Sequence, residues 1–465
     1  MKKRIEQDLL GSMEIPHDAY YGIQTKRAME NFPITGYKPG KELVQALAMV
    51  KKAAALASME IGQLDKEKAE AIVQAADEIL EGKFVDQFVV DVIQGGAGTS
   101  LNMNANEVIA NRAIEILGGE KGDYKIVSPN THVNMSQSTN DVIPTAVRIT
   151  VLNLVKDLLA EMQQLRDALL QKSEEFDDVI KMGRTHLQDA VPIRLGQEFS
   201  AYAATIGRDI NRISAATEAL HQINMGATAV GTCVNAKIEY IESVTAHLRE
   251  FSSLPLTSAD NMVDATQNAD GLAAFSGTLK ILALNLSKIA NDLRLMSSGP
   301  RAGLNEINLP PVQPGSSIMP GKVNPVMAEV VNQVAFQVAG NDLTISLAAE
   351  AGQFELNVME PVIIFNLIQS VEILTRVIRV FRERCIVGIT ANRERCQQMV
   401  DNSVGIITPL VAHVGYEMAS QLAKEVMSSG KTVRQLLSEK GIFSEEELDK
   451  ILSPHRMTQP TSCNN

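Results

Sequence analysis

A chain of 465 residues is long enough for two or three domains around a sizeable buried core. Apolar residues at 45%, charged residues at 21%, no tryptophan and few aromatics favour helix packed on helix over a β-sandwich. The formal net charge of −12 disfavours nucleic acid and anionic membranes as partners, and it requires any anionic substrate to be met by local donors and cations.

The opening MKKRIEQDLLGSMEIP has a basic tip, turns acidic at once and lacks the apolar core of a signal peptide. From there to about Asn140 the sequence predicts short helices mixed with loops, among them QGGAGTS and SPNTHVNMSQSTND. Between Asp141 and about Arg384 apolar residues step by four and three. Val151, Val155, Leu158, Met162, Leu165 and Leu169 form one stripe, and Phe275, Leu279, Leu282, Leu286, Ile289 and Leu293 another. Phe199, Ala203, Ile206, Ile210 and Ile213 follow more loosely. Met327, Val331, Val334 and Val338 continue the rhythm, as do Ile364, Leu367, Val371, Leu374, Ile378 and Phe381. This is the seam pattern of helices packed nearly parallel or antiparallel. It predicts five helices of roughly 25–35 residues, or about 40–50 Å each. Helices so long predict an all-α bundle that also packs against other subunits. No run of 18 apolar residues occurs, so no membrane span is expected. The tail holds shorter helical pieces, one of them SEEELDKIL, where Ser444 and Glu447 match a capping box. The expected division is 1–140, a central bundle at 141–396, and a small helical region at 397–465. Cys233, Cys385, Cys396 and Cys463 lie scattered without a CxxC pair, which argues against a zinc ribbon or a disulfide scaffold. A reducing, cytoplasmic setting is expected.

Four polar segments interrupt this pattern: Gly95–Glu107, Ser136–Asp141, Gly183–Asp189 and Gly315–Pro325 (GSSIMPGKVNP). Each offers hydroxyls or amides ahead of a helical pattern, where backbone N–H groups and the positive dipole end collect, and so each is a candidate anion site. Taken one at a time, each also reads as ordinary capping or turn chemistry. Asn324 followed by Pro325, for example, matches an N-cap with proline at the first helical position. GSSIMPGKV has five residues between its glycines and a valine after its lysine, so it is not a phosphate loop. GGAGTS lacks the third glycine of a dinucleotide fingerprint. No HExxH or paired metal spacing and no GxSxG elbow is present. Neither a metal nor another cofactor is therefore expected. What remains is a hydroxyl-rich site with one lysine, suited to a small polar anion.

GSSIMPGKVNP resembles the signature loop of the aspartase/fumarase superfamily. The resemblance covers nearly the whole chain, through QGGAGTSLNMNANEV, NMSQSTNDVIPTA, KMGRTHLQDAVPIRLGQEF, NMGATAVGT, SSGPRAGLNEINLP and EAGQFELNVMEPVI. Superfamily members that hydrate fumarate typically read SSND where this chain has STND, so Thr139 points to the amine-eliminating branch. The resemblance implies a homotetramer with a core of about twenty long helices, and active sites that each draw on three subunits. It implies reversible loss of ammonia from L-aspartate to give fumarate, through an aci-carboxylate intermediate.

Matching positions imply Ser316 as the base, with Lys322 balancing its charge. Thr99, Ser138, Thr139 and Ser317 would surround the β-carboxylate, and Thr185, Lys322 and Asn324 the α-carboxylate. Asn140 and His186 would lie near the departing amine. Two departures from the family pattern stand out. Cys233 replaces a glycine in GTGxN, which would strain the chain if that position needs φ > 0. Val411-Ala412 replaces Asn-Pro, which puts a local turn in question. A fumarase, or a non-catalytic structural relative, is the alternative.

Overall fold

The structure is a computed structural model that describes residues 2–460; Cys463 lies outside that range. Helix takes 63% of the described residues, and the fold is all-α. The helices that matter below are α1 (Ile23–Asn31), α2 (Lys41–Glu60), α3 (Lys66–Leu80), α4 (Thr99–Ile116), α5 (Thr139–Glu175), α6 (Leu195–Thr217), α7 (Ile238–Ser252), α8 (Met262–Gln267), α9 (Asp270–Met296), α10 (Val326–Glu350) and α11 (Glu360–Arg384). Shorter helices follow from Arg393 to Met457. The long ones, α5, α6, α9, α10 and α11, run for 37, 23, 27, 25 and 25 residues. The chain forms two compact units, Met1–Leu158 with Arg212–Ile281 and Gln337–Ile373, and Leu159–Asn211 with Leu282–Phe336 and Leu374–Asn465. Every boundary falls inside one of those five helices.

The apolar stripes of α5, α9 and α11 are buried along their full length, because a four-three spacing keeps one helix face against its neighbours. Two details differ from the expectation. Ile210 on α6 is only half-buried. On α10 the buried positions are Ala328, Val331, Ala335 and Val338, while Met327 and Val334 are half-buried. Small alanines take the inward places there, which lets helix backbones approach closely. Although neither holds 18 apolar residues in a row, α9 and the α11 region (Glu360–Gly388) are long and apolar enough to cross a membrane, with mean hydropathy 1.2 and 1.5. Half or more of each such window is buried in the protein (50% and 56%), as in the core helices of a bundle.

The N-terminal part holds longer helices than expected: α2 has 20 residues and α4 has 18. It opens on a hairpin of β1 (Lys3–Asp8) and β2 (Gly11–Pro16). A second antiparallel hairpin joins β3 (Ile180–Thr185) to β4 (Gln188–Arg194). In the C-terminal part, Ile406, Leu410, Leu422, Leu437 and Leu448 pack into one core. The predicted capping box is present, with Ser444 N–H donating to Glu447 (2.8 Å) and Glu447 N–H to Ser444 Oγ (3.3 Å). Val411 and Ala412 lie inside the helix Ile407–Val414, so the chain continues in helix where the family pattern has Asn-Pro.

Candidate active site

In the first unit, Gly96, Ala97 and Gly98 all have positive φ (84°, 55° and 89°), and this left-handed run delivers Thr99 to the first turn of α4. The Thr99 hydroxyl donates to the Gly96 carbonyl at 2.7 Å. Ser138 caps α5: its Oγ accepts from Asn140 N–H (3.2 Å), and its own N–H donates to Asp141 Oδ1 (2.9 Å). Capping chemistry is therefore present at this segment, as its residue types suggested. The Asp141 carboxylate also accepts from the N–H groups of Gly226 (3.2 Å) and Thr228 (2.9 Å), which fastens NMGATA onto the start of α5. Asn140 is held on that segment by Nδ2 donating to Ala229 O (2.7 Å) and by its carbonyl accepting from Asn224 (3.0 Å). Thr139, 8% exposed, accepts at Oγ1 from Asn102 Nδ2 on α4 (3.2 Å).

Beneath these residues lies a lysine that sequence reasoning missed. Lys51 on α2 is 0% exposed, and its Nζ donates to Asn134 Oδ1 and Gln137 Oε1, both at 2.9 Å. Burial pushes its ammonium down to about 7 despite the Asp141 carboxylate. Burial likewise pushes the Asp141 carboxyl up to about 7, against the pull of its backbone donors and of Lys51. The available signal was a lysine on the apolar face of α2, one turn after Leu47 and with Val50 beside it.

In the second unit, GRTHLQD is not a helix start but the tip of the β3–β4 hairpin, which corrects the expectation of a helix N-terminus there. Thr185 pairs with Gln188 across the tip, and His186 and Leu187 form the turn with φ of 55° and 60°. Such values strain residues that carry a Cβ, and they project both Thr185 and His186 into solvent. The base of the hairpin is pinned by charge. Glu306, 0% exposed, faces Lys181 at 3.2 Å and Arg184 at 2.8 Å. Neither Glu306 oxygen makes a well-aligned hydrogen bond among the described residues, so attraction between opposite charges holds it. Lys181 also donates to Glu198 at 2.8 Å.

The loop Gly315–Pro325, in the same unit, is closed at its stem. Gly315 N–H donates to Lys322 O (2.7 Å), and Asn324 Nδ2 donates to Gly315 O (2.7 Å). Asn324 thus ties the loop shut with its side chain rather than capping α10, a correction to the N-cap reading. A Cβ on Gly315 would lie 2.5 Å from Lys322 O, so only glycine fits the stem. At the start of the loop, Ser316 Oγ accepts from the N–H groups of Ile318 (3.2 Å) and Met319 (3.1 Å). Ser316 and Lys322 line the same hollow of about 470 Å³. Ser317 and Lys322 are exposed, Ser316 and Asn324 half-buried. The proposed residues therefore form three groups: Ser138, Thr139 and Asn140 with Thr99's helix; Thr185 with His186; and Ser316, Ser317, Lys322 and Asn324. Among the described residues no three His, Cys, Asp or Glu side chains cluster to hold a metal ion.

Cys233 has φ of 57°, so the position does require the left-handed region. Burial and the Asp141 carboxylate raise its thiol above the ordinary value. Replacing Cys233 with glycine is expected to stabilise the protein by up to about 1 kcal/mol. Relief of the left-handed penalty, about 1–2 kcal/mol, outweighs the extra freedom of glycine in the unfolded chain, about 0.4–1 kcal/mol. Denaturant unfolding of the two proteins measures this, and a lower midpoint for C233G would contradict it.

The family described as Lyase matches residues 11–340, and the one described as Fumarase C C-terminus matches residues 406–459. Aspartate ammonia-lyases from Bacillus sp and Bacillus subtilis (strain 168) are 62% and 61% identical over 457 residues. These alignments cover 98% of this chain and 98% and 96% of the relatives. The aspartate ammonia-lyase of Helicobacter pylori is 51% identical over 98% of both chains. A solved structure described as fumarate lyase:delta crystallin from Brucella melitensis, bound to cobalt, superposes with a TM-score of 0.96. It is 51% identical, covering 99% of this chain and 100% of its own. A class II fumarase from Schistosoma mansoni superposes with a TM-score of 0.92 at 35% identity, covering 97% of this chain and 98% of its own.

Proposed function

The chain belongs to the aspartase/fumarase superfamily of lyases, and from that membership we infer that it is an ammonia-lyase, releasing ammonia from L-aspartate to leave fumarate. The observation that carries the choice of branch is near-full-length identity of 62% and 61% to aspartate ammonia-lyases, against 35% to a class II fumarase.

In the mechanism we propose, Ser316 acts as its alkoxide, taking a proton from the carbon bearing the β-carboxylate and becoming the neutral hydroxyl. Charge moves into that carboxylate, giving an aci-carboxylate dianion, and the amine then departs. Support for Ser316 comes from its surroundings. Two N–H groups already point at Oγ, so an alkoxide formed there keeps both bonds and strengthens them. Lys322 lines the same hollow and supplies the compensating positive charge. Ser138, Thr139 and Ser317 donate to the β-carboxylate, and Thr99 joins them once its hydroxyl turns away from the Gly96 carbonyl that now holds its proton. Hydroxyls suit that place because they stabilise developing charge without binding the ground state as tightly as cations would. Thr185, Lys322 and Asn324 hold the α-carboxylate, and Asn140 and His186 orient the amine.

We also propose a homotetramer whose sites combine segments from three chains, in the cytoplasm. Exposed Phe336, Leu343 and Leu347 on α10 and Leu284 and Leu295 on α9 give these core helices a second apolar face, as an interface between subunits would require. Free thiols at Cys233, Cys385 and Cys396 fit a reducing compartment.

The reaction is tested by incubating the purified protein with L-aspartate and, separately, with L-malate, and following fumarate by its ultraviolet absorbance. Fumarate from aspartate alone is the expected result. Fumarate from malate alone would make the protein a fumarase, and silence from both would leave a structural role.

A further inference from the structure

We propose that Lys51 is a positioning residue for this reaction: through Asn134 and Asn102 it fixes the direction of the Thr139 hydroxyl, so that the hydroxyl donates to the substrate. The inference rests on the assignment of Thr139 to the β-carboxylate made above. In its charged form Lys51 can only donate. Its bond to Asn134 therefore forces that amide to present oxygen, and Asn134 Oδ1 accepts from Lys51 at 2.9 Å. The same oxygen accepts from Asn102 Nδ2 and from Asn106 Nδ2, both at 3.2 Å. Asn102 must then turn its NH2 group toward Asn134, and that group also reaches Thr139 Oγ1 at 3.2 Å. Nothing on the other side of Asn102 opposes this, since its own Oδ1 accepts no bond among the described residues. Thr139 Oγ1 is thus an acceptor toward the protein, and its single proton is left for an outside partner.

The arrangement explains an otherwise costly feature. Burying an ammonium without a bonded carboxylate is expensive, yet both bonds of Lys51 go to neutral amides. An amide in place of Lys51 could present either its oxygen or its NH2 group to Asn134 and would leave the relay free to invert. With the relay inverted, Asn102 would offer its oxygen to Thr139. The hydroxyl would then spend its proton on Asn102 and face the carboxylate with a lone pair.

The test is a double-mutant cycle on the full-length enzyme, with L-aspartate as substrate and with folding and assembly checked by circular dichroism and gel filtration. The variants are Lys51→Met, Thr139→Val and the double mutant. Thr139→Val is expected to lower kcat by roughly 10²–10³-fold, as for a lost oxyanion donor. Lys51→Met alone should lower kcat by on the order of tenfold or more, and in the Thr139→Val background by less than about twofold. A purely structural role predicts instead that the two losses multiply, and that result overturns the relay. If Lys51→Met does not fold, Asn102→Ala cuts the same relay while leaving the bonds of Lys51 to Asn134 and Gln137 in place, and the same non-additivity with Thr139→Val is expected. An unchanged kcat in Thr139→Val would remove the assignment of Thr139 itself, and with it this inference; that outcome is read from the single variant and is distinct from failure of the relay.

Discussion

Ser316→Ala is expected to lower turnover of L-aspartate by more than the roughly 10²–10⁴-fold typical of general-base assistance, because no neighbouring group can take over the proton. Binding of a dicarboxylate inhibitor should change little, since the proposed donors Thr99, Ser138, Thr139 and Ser317 and the cation Lys322 remain. Exchange of the substrate's β-hydrogen with deuterated water should disappear. Ser317→Ala should behave differently. Ser317 is exposed in the same loop and is one donor among several. Its loss should cost about 2–4 kcal/mol of transition-state stabilisation with the base still working. The contrast follows from the loop geometry: Ser316 Oγ sits under two backbone donors, and the loop stem between Gly315 and Lys322 keeps them in place. Near-normal turnover in Ser316→Ala, or a far worse lesion from Ser317→Ala, would assign the base to the wrong serine.

Mixing two inactive variants, Thr139→Val and Lys322→Met, and allowing subunits to exchange is expected to restore activity. If each site takes Thr139 from one chain and Lys322 from another, a statistical mixture rebuilds about one site in four with both residues intact. Against the residual activity of either parent, that is a gain of more than tenfold, because each parent lacks a group proposed to act directly on the substrate. Turnover is measured after exchange has been verified by mass-labelled subunits. No recovery under those conditions would place the whole site in one chain.

The helical bundle was legible in the sequence because its signal is local. A stripe such as Val151–Leu169 repeats with the period of the helix, and burying one face of that helix is the only way to remove all six side chains from water. The capping box at Ser444 and Glu447 was legible for the same reason, as donor and acceptor lie three residues apart. The family resemblance pointed to Ser316, but neither its composition nor its spacing showed that the N–H groups of Ile318 and Met319 converge on its Oγ. Other features depend on segments distant in the chain. GRTHLQD carries none of the Asn-Gly or Asp-Gly turn chemistry of a hairpin, and its strained turn stands on a base held by Glu306, more than a hundred residues away. Lys51 was passed over in the sequence. Only the packing of α2 against the segment before α5 buries it and gives its ammonium the amides of Asn134 and Gln137. Sequence periodicity determined which faces leave water. The tertiary structure decided which polar groups are carried inside with them, because a buried donor must find its acceptor wherever the fold brings one within reach.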